Sequence, residues 1–377
     1  MPDHTTPRVL VADDQPDIVT ALKLLLRDAG LETDTARSVQ EVRTRLDACD
    51  YDLLLMDLNY ARDTTSGREG LDLLDEVHSR DPLLPVVVMT GWASIDTAVE
   101  AMRRGARTFV HKPWNNAAMA AAITREVRDG IAQRHAQALA ARQRADARAS
   151  QRALLPSSLP PVAGCQIAAR WNPASDLGGD CYDVMPLAPE TVAISIADVC
   201  GKGLAAALVM SHLQASVRAI AAAHPAPPSL AASVNQVLCR NVGLAHFVTF
   251  FYATYDGMTR RLAFTNAGHN PPVLLRADGS VQRLATGGMV LGIFEHADFE
   301  LGEVTLARGD RLVLFTDGIV EATGADGEYG DDRLVQLVRR VRAGTADQIA
   351  DAIVNDVSAF TGGGLQDDAT VMIAAIE

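Results

Sequence analysis

Residues 51–57 read YDLLLMD, an almost continuous apolar run that leads into an aspartate. A strand that is apolar on both faces is typical of a parallel sheet covered by helices on both sides. Short runs of the same kind occur at Val9–Ala12, Pro85–Met89 and Thr108–Val110, and a helical repeat covers Pro16–Ala29. The pattern predicts a doubly wound α/β domain whose site lies at the carboxyl ends of the strands.

Polar side chains of matching chemistry follow these predicted strands. They are Asp13 and Asp14 after Val9–Ala12, Asp57 at the end of 51–57, Thr90 after Pro85–Met89 and Lys112 after Thr108–Val110. Any one acid taken alone is as easily a helix N-cap. As a set, two acids can bind a divalent cation, a third can act as a nucleophile, and the hydroxyl and ammonium can stabilise phosphoryl oxygens.

Over about residues 7–125 the chain resembles the receiver domain of two-component response regulators. The resemblance rests on the Asp13-Asp14 pair and on the motifs LLLMDLN (53–59), VVVMTG (86–91) and FVHKPW (109–114). It implies a flavodoxin-like fold in which a sensor histidine kinase phosphorylates Asp57. It also implies a Mg²⁺ site and a switch, with these members: Asp13, Asp14, Asp57 and the Asn59 carbonyl on the cation, Lys112 on the phosphate, and Thr90 and Phe109 as the switch pair. Residues 60–69, YARDTTSGRE, replace the family's usual short Met-Pro turn, which bears on kinase recognition and on the dephosphorylation rate.

From Trp114 to Leu155 the composition shifts to alanine, arginine and glutamine without proline, which predicts a long helix. Its arginines are interleaved with alanines, so a solvated connector is favoured over a nucleic-acid arm, and its apolar stripe is a weak coiled-coil signal. The stretch PSSLPP (156–161) ends this helix. We therefore predict a receiver at 7–125, a helical linker at 126–155 and a second domain at 156–377.

The second domain groups strands around long helices, which favours an α+β layered fold. The predicted strands are Ile167–Arg170, Thr191–Ala197, Phe247–Tyr255, Leu262–Thr265, Arg311–Phe315 and Ala369–Ala374, and the predicted helices are Gly203–Ala223, Ser229–Val242 and Thr345–Phe360.

Aspartates again stand beside glycines at predicted strand ends. They are Asp180 in GGDCYD, Asp198 in SIADVCGKG, Asp317 in LFTDG, and Asp367 and Asp368 in QDDATV. A lone Asp-Gly is ordinarily a turn. Two carboxylates about 4 Å apart, however, repel by about 4 kcal/mol at an effective dielectric constant of about 20, so a cluster requires cations. Hard oxygen ligands select Mg²⁺ or Mn²⁺.

Over about residues 150–377 the chain resembles the SpoIIE/RsbU-like branch of the PPM protein phosphatases. Six ordered motifs carry the resemblance: QRALLPSSLP (151–160), PASDLGGDCYD (173–183), IADVCGKGLAAALVM (196–210), NAGHNPP (266–272), LFTDGIVEA (314–322) and QDDATV (366–371). The resemblance implies two Mg²⁺ or Mn²⁺ ions with these ligands: Asp180, Asp198 and the Val199 carbonyl on one, Asp198, Asp317 and Asp367 on the other, and Glu321 and Asp368 as further acids. A water activated by both cations would attack the phosphorus of a phosphoserine or phosphothreonine directly.

Four other residues in these motifs have two interpretations each. His269 is either an acid for the leaving alkoxide or, more simply, a structural histidine. Cys181 and Cys200 are expected to be small core residues rather than oxidation switches. Lys202 is either a phosphate-steering residue or a solvated lysine, and the second interpretation is the simpler.

Composition excludes several classes of protein. The 377 residues are 48% hydrophobic and 21% charged with a net charge of −13, which is typical of a soluble protein and unfavourable for binding nucleic acid. No apolar run approaches the roughly 20 residues that span a bilayer, and the first seven residues are polar. Five cysteines without a CxxC pair indicate a reducing, cytoplasmic setting.

Together these features predict a response regulator whose output is a protein phosphatase. The resemblance implies a phosphorylated STAS-type anti-anti-sigma protein as substrate, in a stress or developmental pathway, and a homodimer through the receiver or linker helix is an option. A non-catalytic adaptor is the main alternative. A DNA-binding regulator is disfavoured because the chain shows no helix-turn-helix signal.

Overall fold

The computed structural model describes residues 6–60, 68–91, 95–242, 246–325 and 327–377. The chain divides into two compact units, Met1–Arg142 and Gln143–Glu377. Most of the 60–69 stretch lies outside the described residues.

The first unit alternates strands with helices along the chain. Its elements are β1 (Arg8–Ala12), α1 (Pro16–Asp28), β2 (Glu32–Ala36), α2 (Val39–Ala48), β3 (Leu53–Asp57), α3 (Arg68–Arg80), β4 (Val86–Thr90), α4 (Ile95–Arg103), β5 (Thr108–His111) and α5 (Asn116–Leu154), the last of which continues into the second unit. The strands form one sheet in the order β2-β1-β3-β4-β5, and every pair is parallel.

Helices cover both faces of this sheet because its central strands are apolar throughout. Every residue of β3 and β4 is buried. Leu54 and Val88 pack on the face covered by α2 and α3, whereas Leu55 and Val87 pack on the face covered by α1 and α5. The predicted doubly wound receiver fold is confirmed.

Helix α5 confirms the predicted long helix between the two halves of the chain. Its earlier part packs in the first unit, where Gly130 lies against Pro85 and Arg134 forms an ion pair with Asp81 (Nη2–Oδ2, 2.6 Å). Its last turn belongs to the second unit, in which Gln151 is buried. The exact borders of a separate linker at 126–155 stay a prediction.

Over the described residues the second unit contains two large, mainly antiparallel sheets, one two-stranded sheet, the end of α5 and five further helices. Its elements are β6 (Cys165–Asn172), β7 (Cys181–Ala188), β8 (Thr191–Val199), α6 (Leu204–Ala221), α7 (Pro227–Asn241), β9 (Val248–Asp256), β10 (Arg261–Ala267), β11 (Val273–Leu275), β12 (Val281–Arg283), β13 (Gly287–Gly288), β14 (Gly302–Thr305), β15 (Arg311–Phe315), α8 (Asp317–Val320), β16 (Thr323–Gly324), β17 (Gly327–Glu328), α9 (Asp331–Val341), α10 (Ala346–Thr361) and β18 (Ala369–Ile376). One sheet runs β13-β10-β9-β8-β7 with β14 beside β10, the other runs β12-β11-β15-β18-β6, and β16 pairs with β17.

Three apolar clusters stack these elements into helix, sheet, sheet and helix layers. Alternate side chains of the two sheets, such as Ile194, Phe251, Leu314 and Met372, meet in the central cluster. The outer face of the first sheet packs on α6 and α7, and that of the second packs on α9 and α10. This layered arrangement confirms the predicted fold class of the second domain.

Helix α6 departs from one expectation, because it is long and apolar enough by composition to cross a membrane, with a mean hydropathy of 1.3 over 18 residues. Half of that segment is buried. Met210, Leu213 and Val217 of α6 lie in the core cluster with β8 and β9. The burial identifies α6 as a core helix of this domain.

Candidate functional site

The carboxyl ends of the parallel strands bring the receiver acids together. Asp13, Asp14 and Asp57 each offer a carboxylate oxygen, and these oxygens lie within 4.8 Å of one another. Asp13 is fully buried and Asp57 nearly so. Three negative charges this close repel strongly unless cations lie among them, and hard carboxylate oxygens are the ligands that Mg²⁺ prefers.

Lys112 supplies one positive charge to this group. Its Nζ donates to Oδ2 of Asp13 at 2.5 Å and to Oδ2 of Asp57 at 2.6 Å. Burial lowers the pKa of Lys112, but the bonds to the two carboxylates outweigh it and leave the pKa raised. Burial also raises the pKa of Asp13, against the opposing effect of the Lys112 ammonium.

The remaining predicted receiver residues surround Asp57. The backbone N–H of Asn59 donates to Asp57 Oδ1 at 3.2 Å, and its side-chain amide reaches the hydroxyl of Thr90 at 3.4 Å. Thr90 is buried, whereas Phe109 is half-buried against the apolar cluster under α3. The structure therefore places the predicted switch pair on neighbouring strands β4 and β5.

Tyr60 is a further residue of this cleft, and the sequence analysis gave it no role of its own. A cleft of about 740 Å³ covers the strand ends and is lined in part by Asp14, Asp57, Tyr60 and Lys112. The Tyr60 hydroxyl is buried without a hydrogen-bond partner. Burial, followed by the charge of Asp57, raises the pKa of Tyr60 well above its usual range.

In the second unit, strand register places Asp180 and Asp198 side by side. Strands β7 and β8 pair antiparallel with Cys181 opposite Ala197, so Asp180 just before β7 faces the Asp198 end of β8. In the other sheet Phe315 pairs with Val371, which sets Asp317 after β15 beside the acids that precede β18. Each sheet thus brings its acids together at the ends of two neighbouring strands.

Two threonine hydroxyls hold Asp180, and sequence reasoning missed both. Thr316 and Thr370 donate to Asp180 Oδ2 at 2.7 Å and 2.6 Å. Asp180 is fully buried, and its Oδ1 has no hydrogen-bond partner. Burial and the charge of Asp198 raise the pKa of Asp180 well above its ordinary range, although the two hydroxyls act in the opposite direction.

The pKa of Asp198 is affected by acids from both sheets. Burial and then the charge of Asp317 raise the pKa of Asp198 to about 7, with the adjacent Asp180 carboxyl acting in the opposite direction. Asp367 and Asp368 add smaller repulsive contributions. The pKa of Asp317 is itself raised by burial, by Asp367 and by Glu321, which is exposed at the end of α8. These mutual effects mean that the acids of both sheets share one electrostatic environment.

Lys202 and Asp368 contact the backbone and side chains of the segments that carry these acids. The Lys202 Nζ lies 3.0 Å from Asp367 Oδ2 and donates to the Gln366 carbonyl at 2.5 Å, so it is a paired lysine and not merely a solvated one. Asp368 instead accepts the backbone N–H groups of Ala174 and Gly179 at 2.8 Å and 2.6 Å. Asp368 therefore closes a loop, which accounts for its carboxylate without a cation.

Glycines allow close backbone approach at two points of the group. A Cβ on Gly179 would lie 2.9 Å from the Val199 carbonyl oxygen, the predicted backbone ligand. A Cβ on Gly318, next to Asp317, would lie 2.1 Å from the Asp368 carbonyl oxygen. Any larger residue at either position would push the acid-bearing segments apart.

The donor set suits divalent cations. Asp180 offers a buried oxygen with no donor facing it among the described residues, and burial followed by repulsion from nearby carboxylates raises the pKa of Asp180 and of Asp198. Within the described part of the second unit, no three acids bring their oxygens all within 4.8 Å of one another. The Lys202 ammonium on Asp367 is the one cation that contacts this group there.

His269 and Cys181 are buried and Cys200 is half-buried, as is typical of residues with a structural role. The His269 ring is buried, its Nδ1 lies 2.9 Å from the Thr249 hydroxyl, and burial lowers its pKa to about 4. Such a histidine is neutral at pH 7 and enclosed, which fits the structural interpretation. Cys181 is buried, and burial raises its pKa, so it is a poor thiolate. Cys200 is half-buried.

Comparisons with known proteins agree with this geometry. The family model of the response regulator receiver domain matches residues 9–124, and the model of the stage II sporulation protein E (SpoIIE) family matches residues 188–377, just over half of the chain. Phosphoserine phosphatase RsbU of Bacillus subtilis is 30% identical over 224 residues, which cover 59% of this chain and 67% of RsbU.

Two further proteins each match one of the two domains. The response regulator protein PilR of Pseudomonas aeruginosa is 37% identical over 106 residues, 28% of this chain and 23% of PilR. The SiaA-PP2C domain of Pseudomonas aeruginosa has the same fold with a TM-score of 0.57 at 24% identity, and the match covers 64% of this chain and 99% of that domain. The chain belongs to the SpoIIE family of metal-dependent protein serine/threonine phosphatases and carries a response regulator receiver domain before its phosphatase domain.

Proposed function

We propose that this protein is a phosphorylation-controlled response regulator that dephosphorylates serine or threonine on a protein substrate. The single observation that supports the output reaction is the shared environment of Asp180, Asp198, Asp317 and Asp367, in which a buried Asp180 oxygen has no donor. The similarity to RsbU, a phosphoserine phosphatase, supports phosphoserine as one substrate.

The proposed ligands follow from the placement of the acids. Asp180, Asp198 and the Val199 carbonyl would hold one Mg²⁺ or Mn²⁺, and Asp198, Asp317 and Asp367 the other, with Glu321 at the rim. When bound, the cations supply Lewis-acid activation of water and neutralise charge on the phosphoryl group. Thr316 and Thr370 orient Asp180, and the Asp368 carboxylate holds the Gly179 segment in place.

Asp57 is the proposed phosphoacceptor in the receiver. Its carboxylate lines the cleft and accepts a hydrogen bond from Lys112, which would pair with the added phosphoryl oxygens. Asp13 and Asp14, whose oxygens lie within 4.8 Å of that of Asp57, would hold Mg²⁺ together with Asp57 and the Asn59 carbonyl. Thr90 and Phe109 would report phosphorylation to β4 and β5. A sensor histidine kinase is the proposed partner that supplies the phosphoryl group.

The finer proposals concern the pathway. We propose a phosphorylated STAS-type anti-anti-sigma protein as substrate, a cytoplasmic location, and control of the phosphatase through α5. Coupling between two such sites is typically about 5- to 150-fold. Homodimerisation through the receiver or the connecting helix stays a prediction.

The test is phosphatase activity of the full chain on a phosphorylated STAS protein with Mn²⁺, before and after phosphorylation of the receiver. Asp198→Ala should abolish turnover, whereas Asp57→Asn should leave measurable activity that no longer responds to receiver phosphorylation. Asp332→Ala, an exposed acid on α9, is the matched control. Equal loss in the Asp57 and Asp198 variants would contradict a modulatory receiver, and an inactive wild type that still binds the substrate would support an adaptor.

A further inference from the structure

A buried glutamine in the last turn of α5 bonds to the loop that leads to Asp180. Gln151 Nε2 donates to the Gly178 carbonyl at 2.6 Å, and the Gly178 N–H donates to Gln151 Oε1 at 3.0 Å. Gln151 is only 4% exposed. The side-chain amide thus pairs with both backbone groups of one residue, Gly178, as a neighbouring strand would.

The loop that Gln151 holds is fixed by side-chain hydrogen bonds, which include those from Trp171 to the Asp180 carbonyl and from Ser175 to the Leu177 carbonyl, and not by regular secondary structure. Residues 176–179 form no helix or strand, and Gly178 and Gly179 carry no side chains to pack. The next backbone N–H, that of Gly179, donates to Asp368 Oδ2 at 2.6 Å. Asp180 follows directly, so the two residues before it are fixed by Gln151 on one side and by Asp368 on the other.

The bonds of Gln151 are not needed merely to attach the helix. Leu155, one turn later, is buried in the core cluster beneath α6. Gln214 of α6 donates from Nε2 to the Leu154 carbonyl at 2.5 Å, which ties down the same end of α5. Gln214 is buried as well. Two buried amides thus bond at the end of α5, Gln151 of α5 itself and Gln214 of α6, and of these two only Gln151 has a hydrogen bond to the Asp180 loop among the described residues.

The geometry points to Gln151 as a positioning residue for the proposed cation site. It holds the Gly178 peptide at the depth where Asp180 faces Asp198 and where Gly179 lies against the Val199 carbonyl oxygen. Gln151 thereby sets the affinity of the site for divalent cations, without contacting the cation or the substrate. This inference rests on the proposed function, because it assigns Asp180 and Val199 to a cation.

The test measures Mn²⁺ binding directly, by titration calorimetry on the full chain. All proteins carry Asp13→Asn and Asp14→Asn, so that the receiver acids do not contribute. Gln151→Met keeps the length of the side chain and removes both bonds, and Gln214→Met is the matched control on the same helix end. Removing a residue that orients a metal ligand typically costs 10- to 100-fold in affinity. We expect Gln151→Met to weaken Mn²⁺ binding about 10-fold and Gln214→Met to change it less than about 2-fold.

Gln151→Glu provides a second, independent readout. An ionised carboxylate repels the Gly178 carbonyl, whereas a protonated one can donate and accept as the amide does. The ratio of its Mn²⁺ dissociation constant to that of the wild type should therefore be large at pH 8 and fall towards one at pH 6. This variant also decides the matter if Gln151→Met does not fold.

Three outcomes would overturn the inference: unchanged Mn²⁺ affinity in a folded Gln151→Met protein, an equal loss in Gln214→Met, or a ratio near one for Gln151→Glu at a pH at which NMR shows the introduced carboxyl to be ionised. Absence of Mn²⁺ binding in the protein with both glutamines intact would instead refute the proposed cation site, so the two failures are distinguishable.

Discussion

Lys202 and Asp367 form an ion pair at the rim of the acid group, with Nζ and Oδ2 3.0 Å apart and both side chains about half exposed. If Asp367 is a cation ligand, the lysine occupies an oxygen that the cation needs. An exposed pair of this kind is worth roughly 0.2 to 1 kcal/mol. Lys202→Met should therefore strengthen Mn²⁺ binding by about 1.4- to 5-fold.

The measurement is the Mn²⁺ dissociation constant of the full chain in low salt and again in high salt, where screening should shrink the difference. Lys23→Met, which removes the same charge from an exposed position on α1, is the control. Weaker binding in Lys202→Met would show that the lysine organises the loop before β18 rather than competing with the cation.

The Thr370 hydroxyl should contribute to the free energy of unfolding through its bond to Asp180. Its Oγ1 donates to buried Asp180, and its backbone N–H donates to the Thr316 hydroxyl. Thr370→Val keeps the shape and leaves a buried carboxyl oxygen with one donor fewer, which should lower the free energy of unfolding by about 1 to 3 kcal/mol.

Urea unfolding in EDTA measures this loss, and Thr265→Val is the matched control. Thr265 is also fully buried on a strand of this unit, but its hydroxyl has no hydrogen-bond partner. Its replacement should be neutral or slightly stabilising. Similar losses in both variants would mean that packing, and not the bond to Asp180, determines the effect.

The buried His269 ring should make the free energy of unfolding depend on pH, with a defined sign. Burial lowers its pKa from 6.5 to about 4, so below pH 6.5 the unfolded chain takes up a proton that the folded chain excludes. The stability from this group is complete above pH 6.5 and is lost as the pH falls towards 4. At pH 5.5 the loss is about 1.4 kcal/mol relative to pH 7.5.

The raised carboxyl pKa values of the acid group act with the opposite sign, so the test compares slopes. The change in unfolding free energy between pH 7.5 and 5.5 is measured in EDTA for the wild type and for His269→Gln. Loss of the histidine should make that change more favourable at acid pH by about the same 1.4 kcal/mol. His224→Gln, at an exposed histidine after α6, is the control, and identical slopes in the wild type and His269→Gln would contradict the buried neutral ring.

Tyr60 and Tyr51 give opposite expectations for the same substitution. The Tyr60 hydroxyl is buried without a partner, whereas the Tyr51 hydroxyl donates to Asp34 Oδ2 at 2.9 Å. Tyr51→Phe should cost about 1 kcal/mol in receiver stability, and Tyr60→Phe should be neutral or stabilising because a buried, unpaired group is costly. Thermal unfolding of both full-length variants checks this. Destabilisation by Tyr60→Phe would mean that its hydroxyl has a partner in solution.

The sequence predicted the receiver well because two independent signals coincide there. Apolar runs such as 51–57 mark the strands, and the chemistry of Asp57 and Lys112 marks their ends. In the second unit the main strands were also predicted, but β7 and α9 were not. Strand β7 directly follows Gly178, Gly179 and Asp180 and contains polar Tyr182 and Asp183, which mask its apolar alternation.

The residues that hold the acids were the part that sequence reasoning missed. Thr316, Thr370 and Gln151 are common residue types at unremarkable positions, and their roles depend on contacts between segments far apart in the chain. The family resemblance implied Asp368 as a further acid of the site, but it gave no indication that the Asp368 oxygens accept the backbone N–H groups of Ala174 and Gly179. Local patterns give no information on such pairings, which packing of the two sheets determines.

Strand β18 enters its sheet in the middle, between β15 and β6, although it follows both of them in the chain. It pairs over eight positions with β6, from Ala369–Asn172 to Ile376–Cys165. Sheets that depend on such distant pairings fold slowly, because much chain entropy is lost before the pairing repays it. The contribution of Asp367 to the acid group thus depends on the pairing of the last strand, β18. A partly folded chain would have neither a complete sheet nor a working catalyst.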